Sequence, residues 1–442
     1  MRFRSEHENG ILKQDLEQAE ENLKGIILIF GGLFMAIHTK TSKAIYNVLR
    51  FIIGRWLTKR FNLLVDGKEV AALKPPYLIL ANHTNFWDPF FVACWLPEPV
   101  YFVTSDEYFR HPFLRMALKL VRAIPKSKFI ADSETVRAIL KVKKAGGVVG
   151  VFPEGKRNWD GGAEPIVYST SKLIKTLKTP VVVALLKGAH LSKPRWARKS
   201  RRGQVLVSYQ VILTPEEITQ LTVDEIYTRV SAALAYDEYK YQEQVKIPFK
   251  GGRLAENLEL FLFICPQCQR IGTMESKGDQ FFCNYCGYRV AYDEYGYFHR
   301  LSPPAPQGLN FHQPQEWNRW QLALLQAKIA AWPENSQPLL EDKFTLLLRG
   351  LRLKPLKKLH TGHLRLFPEA LVFVSLQGVE IRFDLAKING LNVQYNNKLE
   401  FYYENSLYRF IFRPRVSAYK WTKGIELVCA LKTNDKGDIV NE

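Results

Sequence analysis

Short apolar runs alternate with helix-like segments from Tyr77 to about Leu213, and this alternation constrains the fold more than any other feature of the chain. Strand-like runs are YLILA, PVYFVTS, VVGVF, VVVALLKG and QVLVSYQVIL, and helix-like segments such as DSETVRAILKVKKAGG separate them. Short buried strands interleaved with helices are typical of a sheet covered on both faces. The sequence therefore predicts an α/β domain over residues 65–250, with a mixed, largely parallel sheet flanked by helices.

The apolar pattern changes to a period of two after about Phe344. The runs FTLLLRGLRL, HLRLFPEALVFVSL, VEIRFDL, LEFYYEN and LYRFIFR alternate in this way, and a helix-like segment, VSAYKWTKGIELVCALK, closes the chain. Alternation of this kind predicts a small all-β barrel or sandwich with one C-terminal helix. The full division that we predict is 1–64 for N-terminal helices, 65–250 for the α/β domain, 258–300 for a cysteine module, 301–340 for a linker with a helix, and 341–437 for the β-rich domain.

The net charge of +19 is concentrated in one part of the chain. Residues 110–202 contain 22 Lys or Arg and 5 Asp or Glu, a net +17. Such a field attracts anionic partners, namely nucleic acid, acidic lipid headgroups, or a phosphorylated substrate or carrier. The basic residues are scattered through an α/β pattern without a recognised nucleic-acid-binding fold, which argues against nucleic acid.

The N-terminal 64 residues predict helices that associate with a membrane. No signal peptide is visible, and the apolar run Ile26–Ile37 is shorter than the roughly 17–25 residues that cross a bilayer. It is consistent with a buried, re-entrant or interfacial helix. Residues 41–64 form a basic amphipathic pattern, which suits a helix in the membrane interface and equally a helix packed on the core. We expect an intracellular protein on the cytoplasmic side of the cell membrane, peripheral or monotopic.

Four cysteines occur as two CxxC pairs. Cys265 and Cys268 are separated from Cys283 and Cys286 by fourteen residues. Four thiolates at this spacing predict a structural, tetrahedral Zn²⁺ site of the zinc-ribbon kind, with no open coordination position. Disulfides and an iron site are the alternatives, and the lack of a secretory signal argues against disulfides. Cys94 and Cys429 lie in apolar helical runs and are expected in the core.

A histidine and an aspartate lie in the segment ILANHTNFWDPFF, residues 79–91. His83 follows an apolar run, and Asp88 lies four intervening residues later, so the segment fits either a catalytic pair or a histidine that precedes a helix cap. Asp88-Pro89 is also a good helix start, with Asp as the N-cap and Pro at the first helical position. A second strand end, VFPEGKRNWDG, carries a glycine turn with Lys156 and Arg157, which suits phosphate. By itself this turn is also consistent with an ordinary surface loop in which Glu154 is salt-bridged.

Together, the His83–x4–Asp88 pattern and Phe152-Pro-Glu-Gly155 resemble the 1-acylglycerol-3-phosphate acyltransferase (lysophospholipid acyltransferase) family. The resemblance covers roughly residues 45–245 and includes VVVALLKG, where that family has its last motif. It implies transfer of a fatty acyl group to a hydroxyl of a lysophospholipid. The donor that it implies is a thioester of acyl-carrier protein or of coenzyme A. Membrane lipids, the lysophospholipid and an acyl-carrier protein are the partners that it implies.

The resemblance assigns roles to particular residues. His83 becomes the general base and Asp88 its orienting partner, while Glu154, Gly155 and Arg157 help to hold the phosphate of the acceptor. Two positions depart from the family pattern. Lysines, Lys126 and Lys128, stand where the family usually has an arginine, and Lys156 stands where it often has Ser or Thr. Lysine retains the charge but loses bidentate geometry, so the acceptor headgroup stays open.

The β-rich end resembles pleckstrin-homology or GRAM-like domains in its pattern of strands and closing helix. This resemblance implies a module that docks to lipid or protein, and a domain that only packs on the enzyme is the alternative. A different hypothesis for the whole chain is a non-catalytic, zinc-containing protein that binds lipid or nucleic acid through its basic surface.

Overall fold

The computed structural model describes most of the chain. The described residues are 43–110, 115–116, 118–119, 121–126, 133–303, 309–332, 337–351, 354–412 and 416–435. The predicted helices before residue 43, and Lys128, lie outside them. No helix in these ranges is long and apolar enough to cross a membrane.

The α/β part is built on a sheet of seven strands in the order β1-β7-β6-β2-β5-β3-β4. The strands are β1 (Leu63–Asp66), β2 (Leu78–Ala81), β3 (Val100–Ser105), β4 (Ile124–Lys126), β5 (Val148–Val151), β6 (Val181–Lys187) and β7 (Val205–Leu213). All neighbouring pairs are parallel except β6 and β7, which are antiparallel. The predicted mixed, largely parallel sheet is confirmed.

Helices cover this sheet and extend the domain. They are α1 (Lys43–Phe61), α2 (Lys68–Ala71), α3 (Asp88–Ala93), α4 (Ser133–Lys144), α5 (Ser169–Leu177), α6 (Ala189–Ser192), α7 (Pro215–Gln220), α8 (Val223–Leu234) and α9 (Glu238–Val245), with a short 3₁₀ helix at Asp106–Arg110. The continuous apolar runs of β2 and β6 are buried on both faces, as strands inside a covered sheet must be.

One boundary prediction was wrong. The helical pattern that we extended through residue 64 ends at Phe61, and Leu63–Asp66 is an edge strand parallel to β7. Asn62 takes a left-handed conformation (φ 45°), which ends the helix and redirects the chain. The apolar residues after Asn62 therefore belong to a paired strand and do not continue the helix.

The cysteine-containing region forms a separate antiparallel sheet in the order β11-β10-β9-β8. Its strands are β8 (Met274–Lys277), β9 (Gln280–Cys283), β10 (Arg289–Tyr292) and β11 (Phe298–Arg300), and a short 3₁₀ helix, Leu258–Leu260, precedes them. Helix α10 (Pro314–Ala330) follows and packs Trp317 against this sheet. The indole of Trp317 donates a hydrogen bond to the carbonyl of Ile264 at 2.9 Å, which ties the helix to the first cysteine pair.

The end region is an antiparallel sheet of seven strands with one closing helix, as the period-two pattern predicts. The order is β15-β14-β13-β12-β18-β17-β16. The strands are β12 (Leu340–Gly350), β13 (Lys357–Leu366), β14 (Ala370–Ser375), β15 (Glu380–Asp384), β16 (Asn389–Gln394), β17 (Lys398–Tyr403) and β18 (Ser406–Ile411), and the helix is α11 (Ala418–Asp435). Glu404 and Asn405 both have positive φ, the hairpin turn geometry that favours asparagine.

A continuous apolar core joins the cysteine module, helix α10 and the end sheet. It also includes two tryptophans from the α/β part, Trp159 and Trp196. The α/β sheet has its own core, formed by residues such as Leu78, Val149 and Val183. Trp159 lies two residues after Arg157, so the accessory regions pack against a loop that the sequence analysis selected as a candidate site.

Candidate active site

His83 and Asp88 form a bonded pair at the end of β2. The ring atom Nδ1 of His83 lies 2.8 Å from Oδ2 of Asp88. The carboxylate is buried, whereas 22% of the His83 side chain is exposed. An ionised carboxylate only accepts hydrogen bonds, so the neutral imidazole carries its proton on Nδ1 and its lone pair on Nε2. The ring is thus fixed in the tautomer that a general base needs.

The turn around the pair is closed by the same carboxylate. Oδ2 of Asp88 also accepts from the backbone N–H groups of Thr84 (2.6 Å) and Asn85 (2.9 Å), and Oδ1 accepts from the Thr84 hydroxyl at 3.2 Å. These bonds satisfy a carboxylate that would otherwise be buried at high cost. They also hold the aspartate still relative to the imidazole.

Asp88 is not the N-cap of the following helix, and this interpretation was wrong. Helix α3 begins at Asp88, its N-cap is Trp87, and no side chain caps it. The carboxylate turns back toward residues 83–85 instead of toward the free N–H groups of the helix. Pro89 does occupy the first turn, as expected from its lack of an N–H donor.

The second motif meets the first because β2 and β5 are adjacent parallel strands. The carboxyl ends of parallel strands emerge at one edge of a sheet, where ligand sites of open α/β sheets lie. Phe152 follows β5, and its ring stacks on that of His83 with centroids 4.3 Å apart and an interplanar angle of 25°. We call residues 154–162 the 154–162 loop. Its Asn158 N–H donates to the carbonyl of His83 at 2.9 Å.

Glu154 is buried beneath this loop and is not a salt-bridged surface residue. Its Oε1 accepts from the backbone N–H of His83 at 3.0 Å, and its Oε2 has no hydrogen-bond partner among the described residues. Burial raises the pKa of Glu154 well above its ordinary value, and the neighbouring carboxylates Glu164 and Asp88 raise it further, against the His83 hydrogen bond. The buried carboxyl group of Glu154 therefore links the second motif to the backbone of His83 in the first motif.

Gly155 supplies the turn of the 154–162 loop. Its φ of +67° lies in the left-handed region, and its N–H donates to the carbonyl of Phe152 at 3.1 Å. A side chain is disfavoured in this conformation, which explains the glycine after Glu154. Lys156 and Arg157 follow on the half-exposed part of the loop, and Lys156 pairs with Glu164 at 3.1 Å.

Comparison with known proteins matches this part of the chain to a family. A family model described as Acyltransferase covers residues 62–186, which contain both motifs. Residues 62–186 thus match the acyltransferase family. The sequence resemblance is thereby confirmed at the level of the family, and we call the α/β part the acyltransferase domain.

Curated relatives match part of the chain. The 1-acyl-sn-glycerol-3-phosphate acyltransferase of Limnanthes alba is 26% identical over 186 residues, which are 41% of this chain and 64% of that protein. The protein of the same name from Borreliella burgdorferi is 29% identical over 130 residues, 29% of this chain and 50% of that protein. The chain thus spans between half and two thirds of the length of these two relatives.

A solved structure is also similar. The 1-acyl-sn-glycerophosphate acyltransferase of Thermotoga maritima overlaps 48% of this chain and 89% of its own, with a TM-score of 0.42 and 17% sequence identity.

The structure describes one of the two lysines, Lys126 and Lys128, that we predict for the acceptor site. Lys126 ends β4, which lies three strands from β2 in the sheet order. Strands lie about 4.8 Å apart, so Lys126 is at the same edge as His83 but about 14 Å along it. Lys128 lies outside the described residues.

Sequence reasoning missed Arg195, which binds the backbone of the 154–162 loop. Its Nη1 donates to the carbonyl of Arg157 at 2.8 Å, and its guanidinium lies 4.3 Å from the ring centroid of Trp159. Arg195 is one of many basic residues between 110 and 202. Nothing in the local sequence separates it from exposed lysines and arginines, because its role depends on packing against distant segments.

The four cysteine sulfurs converge outside the acyltransferase domain. The Sγ atoms of Cys265, Cys268, Cys283 and Cys286 all lie within 4.8 Å of one another. The Cys265–Cys286 and Cys268–Cys283 distances are 3.6 and 3.8 Å, far longer than the 2.0 Å or so of a disulfide. Ligands 2.3 Å from a tetrahedral Zn²⁺ are about 3.8 Å apart, so the four sulfurs fit such an ion.

Backbone geometry at both cysteine pairs also fits metal binding. Gln269 and Gly287, one residue after each pair, have positive φ, and their N–H groups donate to the carbonyls of Cys265 and Cys283. Burial raises the pKa of the Cys283 thiol, but the Thr273 hydroxyl and backbone N–H groups at Cys286 and Tyr285 lower it overall, to about 7. Donors pointing at sulfur favour the thiolate, the form that ligates metals.

Proposed function

We propose that the protein transfers a fatty acyl group from a thioester donor to the hydroxyl of a lysophospholipid such as 1-acylglycerol-3-phosphate. The observation that carries this proposal is the 2.8 Å bond between His83 and Asp88 at the sheet edge where the 154–162 loop also lies. The acyltransferase model over residues 62–186 supports the same reaction class. The donor is a thioester of acyl-carrier protein or of coenzyme A.

In the proposed reaction His83 acts as general base. Nε2 removes the proton from the acceptor hydroxyl while that oxygen attacks the thioester carbonyl carbon. Asp88 stabilises the resulting imidazolium through Nδ1. The tetrahedral intermediate then collapses, the carbon–sulfur bond breaks, and the imidazolium returns the proton to the leaving thiolate. The products are an ester and a free thiol, and no covalent acyl-enzyme forms.

The 154–162 loop is proposed to hold the phosphate of the acceptor. Arg157 offers a planar set of donors, Gly155 allows close approach of the backbone, and Lys156 adds a charge shared with Glu164. We assign Glu154 a supporting role, because its carboxyl group is buried and bonded to the His83 backbone. Lys126 and Lys128 extend the positive field along the sheet edge.

A substrate screen tests this function. Purified full-length protein is incubated with acyl-carrier-protein and coenzyme A thioesters, each combined with 1-acylglycerol-3-phosphate, other lysophospholipids and monoacylglycerol. We expect transfer from at least one donor, fastest to a phosphate-bearing acceptor. Absence of transfer in every combination, together with retention of the protein on anionic liposomes or DNA, would favour a non-catalytic binding protein instead.

We also propose that the cysteine cluster holds one structural Zn²⁺ through Cys265, Cys268, Cys283 and Cys286. The sulfur distances support four thiolate ligands, which leave no open position for a substrate. Metal analysis should give one zinc per wild-type chain and a large loss in Cys283→Ser. Cys94→Ser, in which a buried cysteine outside the cluster is changed, should retain the metal. Equal zinc in the wild type and Cys283→Ser would rule out this site.

The protein is further proposed to work at the cytoplasmic side of the cell membrane. In α1, Leu57 and Phe61 are buried, whereas Val48, Phe51 and Ile52 are exposed, with Arg55 and Lys59 nearby. Exposed apolar residues beside cations suit an anionic bilayer surface. The β-rich end, if it docks to lipid as its pleckstrin-homology-like pattern implies, would add to this attachment. Binding to anionic vesicles should fall in Phe51→Ser, while Phe51→Leu should retain it.

A further inference from the structure

The backbone of residues 157 and 158 is bonded from two opposite sides. On one side the N–H of Asn158 donates to the carbonyl of His83 at 2.9 Å. On the other side the carbonyl of Arg157 accepts from Nη1 of Arg195 at 2.8 Å. The backbone at Arg157, the residue proposed to bind phosphate, is therefore held by hydrogen bonds to His83 on one side and to Arg195 on the other.

Arg195 in turn reaches the end sheet. Its Nη2 donates to the carbonyl of Val393, in β16, at 2.8 Å. Its side chain is buried and forms no ion pair with a carboxylate among the described residues. Its charge is met by two carbonyl groups, by the Trp159 ring and by the more distant carboxylate of Glu164. Burial and the nearby charge of Arg157 lower the pKa of Arg195 to about 9. A cation in so costly an environment indicates a positional requirement for its guanidinium.

Trp159 provides the second hold on the loop. Its ring packs on Phe261, before the first cysteine pair, at a centroid distance of 5.7 Å and on Tyr419, in α11, at 5.0 Å. Arg195 covers it with a cation–π contact at 4.3 Å. The 154–162 loop therefore packs against the accessory regions through Trp159. This side chain contacts three segments that are distant from it in the sequence.

A buried group of ion pairs attaches the same sheet to the acyltransferase domain. Arg110 lies 3.2 Å from Glu400, in β17, and Arg409, in β18, lies 3.0 Å from Glu107. Burial raises the pKa of Tyr108, which lies in the same short helix, residues 106–110. The ion pairs therefore attach the sheet whose strand β16 carries the Val393 carbonyl that Arg195 binds.

We propose that Arg195 is a positioning residue for the acceptor phosphate, and that the end sheet, by binding Arg195, sets the position of Arg157. Arg195 does not contact the phosphate itself, because both of its Nη groups are bound to carbonyls inside the protein. This inference rests on the proposed function. It gives the accessory region a role in acceptor recognition.

The test uses steady-state kinetics of full-length variants with 1-acylglycerol-3-phosphate, monoacylglycerol and the acyl donor. Arg195→Met retains length and apolar packing but loses both hydrogen bonds. We expect KM for the phosphate acceptor to rise about tenfold, with kcat, donor KM and the weak monoacylglycerol reaction within about twofold. Arg195→Lys should give an intermediate KM. Arg202→Met, which removes an exposed charge seven residues away, should match the wild type.

Glu400→Gln provides a second route if Arg195→Met does not fold. It weakens docking of the sheet without changing the loop, and it should raise the same KM about threefold. An unchanged phosphate-acceptor KM in the folded variants, or equal loss toward both acceptors, would overturn the role of Arg195. Failure of the wild type to transfer an acyl group from either donor would instead remove the proposed function, and with it this inference.

Discussion

The His83 turn and the 154–162 loop lie at the same edge of one sheet, yet they are held in different ways. The His83 ring is oriented by Asp88, and the hydrogen bonds to that carboxylate come from residues 83–85. The loop depends on Arg195, Phe261, Val393 and Tyr419, which come from four other parts of the chain. The orientation of the proposed base therefore depends mainly on its own segment, whereas the proposed acceptor site depends on contacts with distant parts of the chain.

Removing the imidazole should have the largest effect. His83→Ala is expected to lower kcat about 10³–10⁴-fold, because the acceptor hydroxyl loses its base. KM values and the unfolding temperature should change little, since the side chain is not part of the core. His299→Ala, which removes an exposed histidine of the cysteine module, serves as the control and should be fully active. A His83→Ala protein with near-wild-type kcat would contradict the mechanism.

Changing the orienting carboxylate should have the next largest effect. Asp88→Asn retains the shape but cannot stabilise the imidazolium, and we expect kcat to fall about 10²–10³-fold. Asp66→Asn, at the exposed last position of β1, should leave kcat unchanged. If Asp88→Asn raised acceptor KM instead of lowering kcat, the division between a catalytic turn and a binding loop would not hold.

Crowding the loop should affect binding more than catalysis. Gly161 has φ +82°, and an added Cβ would lie 2.9 Å from Cβ of Glu238 and 3.0 Å from Cδ2 of His190. Gly161→Ala should lower the free energy of unfolding by about 2 kcal/mol and raise acceptor KM several-fold. Gly252→Ala, whose Cβ would meet open space, is the matched control. A kcat loss without a KM change would place the loop in the chemical step.

The smallest expected effect is a pH dependence of the free energy of unfolding. It arises from Glu238 and His190, which lie beside Gly161 of the 154–162 loop. Burial raises the pKa of Glu238 to about 7 and lowers that of His190 to about 3. Glu238 therefore stabilises the fold when protonated, and this contribution is lost as pH rises from about 4.5 to 7. His190 acts in the opposite direction, because its contribution to the stability of the fold is lost as pH falls below about 6.5.

Glu238→Gln separates these two contributions. Compared with the variant, the wild type should lose about 1–3 kcal/mol of unfolding free energy between pH 5 and pH 8. Urea unfolding at the two pH values measures this difference. A constant difference would mean that Glu238 titrates normally.

The locally built region was the one that sequence reasoning could predict. His83 and Asp88 are five positions apart, and β2 is a continuous apolar run, so spacing and strand pattern placed the pair at a strand end. The convergence with Phe152-Pro153-Glu154-Gly155 followed from family resemblance, and its physical cause is the parallel pairing of β2 with β5. The period-two pattern likewise predicted the antiparallel end sheet.

The docked region could not be predicted in the same way. Glu154 had the sequence context of a surface salt bridge, but His83 and the loop bury it. Arg195 and Trp159 contact partners about 100 to 260 positions away in the sequence, and no local pattern encodes such contacts. The prediction that Asp88 caps the helix was wrong for a related reason. A carboxylate at the start of a helix can accept hydrogen bonds from the helix or from the preceding turn, and only the folded structure shows that Asp88 accepts from the turn.

Direct transfer of the acyl group tests the central claim most directly. Stoichiometric radiolabelled acyl thioester is mixed with the protein, with and without 1-acylglycerol-3-phosphate, and the label on lipid and on protein is followed through a single turnover. We predict that label passes to the lipid only when acceptor is present, and that the protein carries no covalent label at any time. Label bound covalently to the protein before acceptor is added, or no labelled lipid at all, would contradict the account.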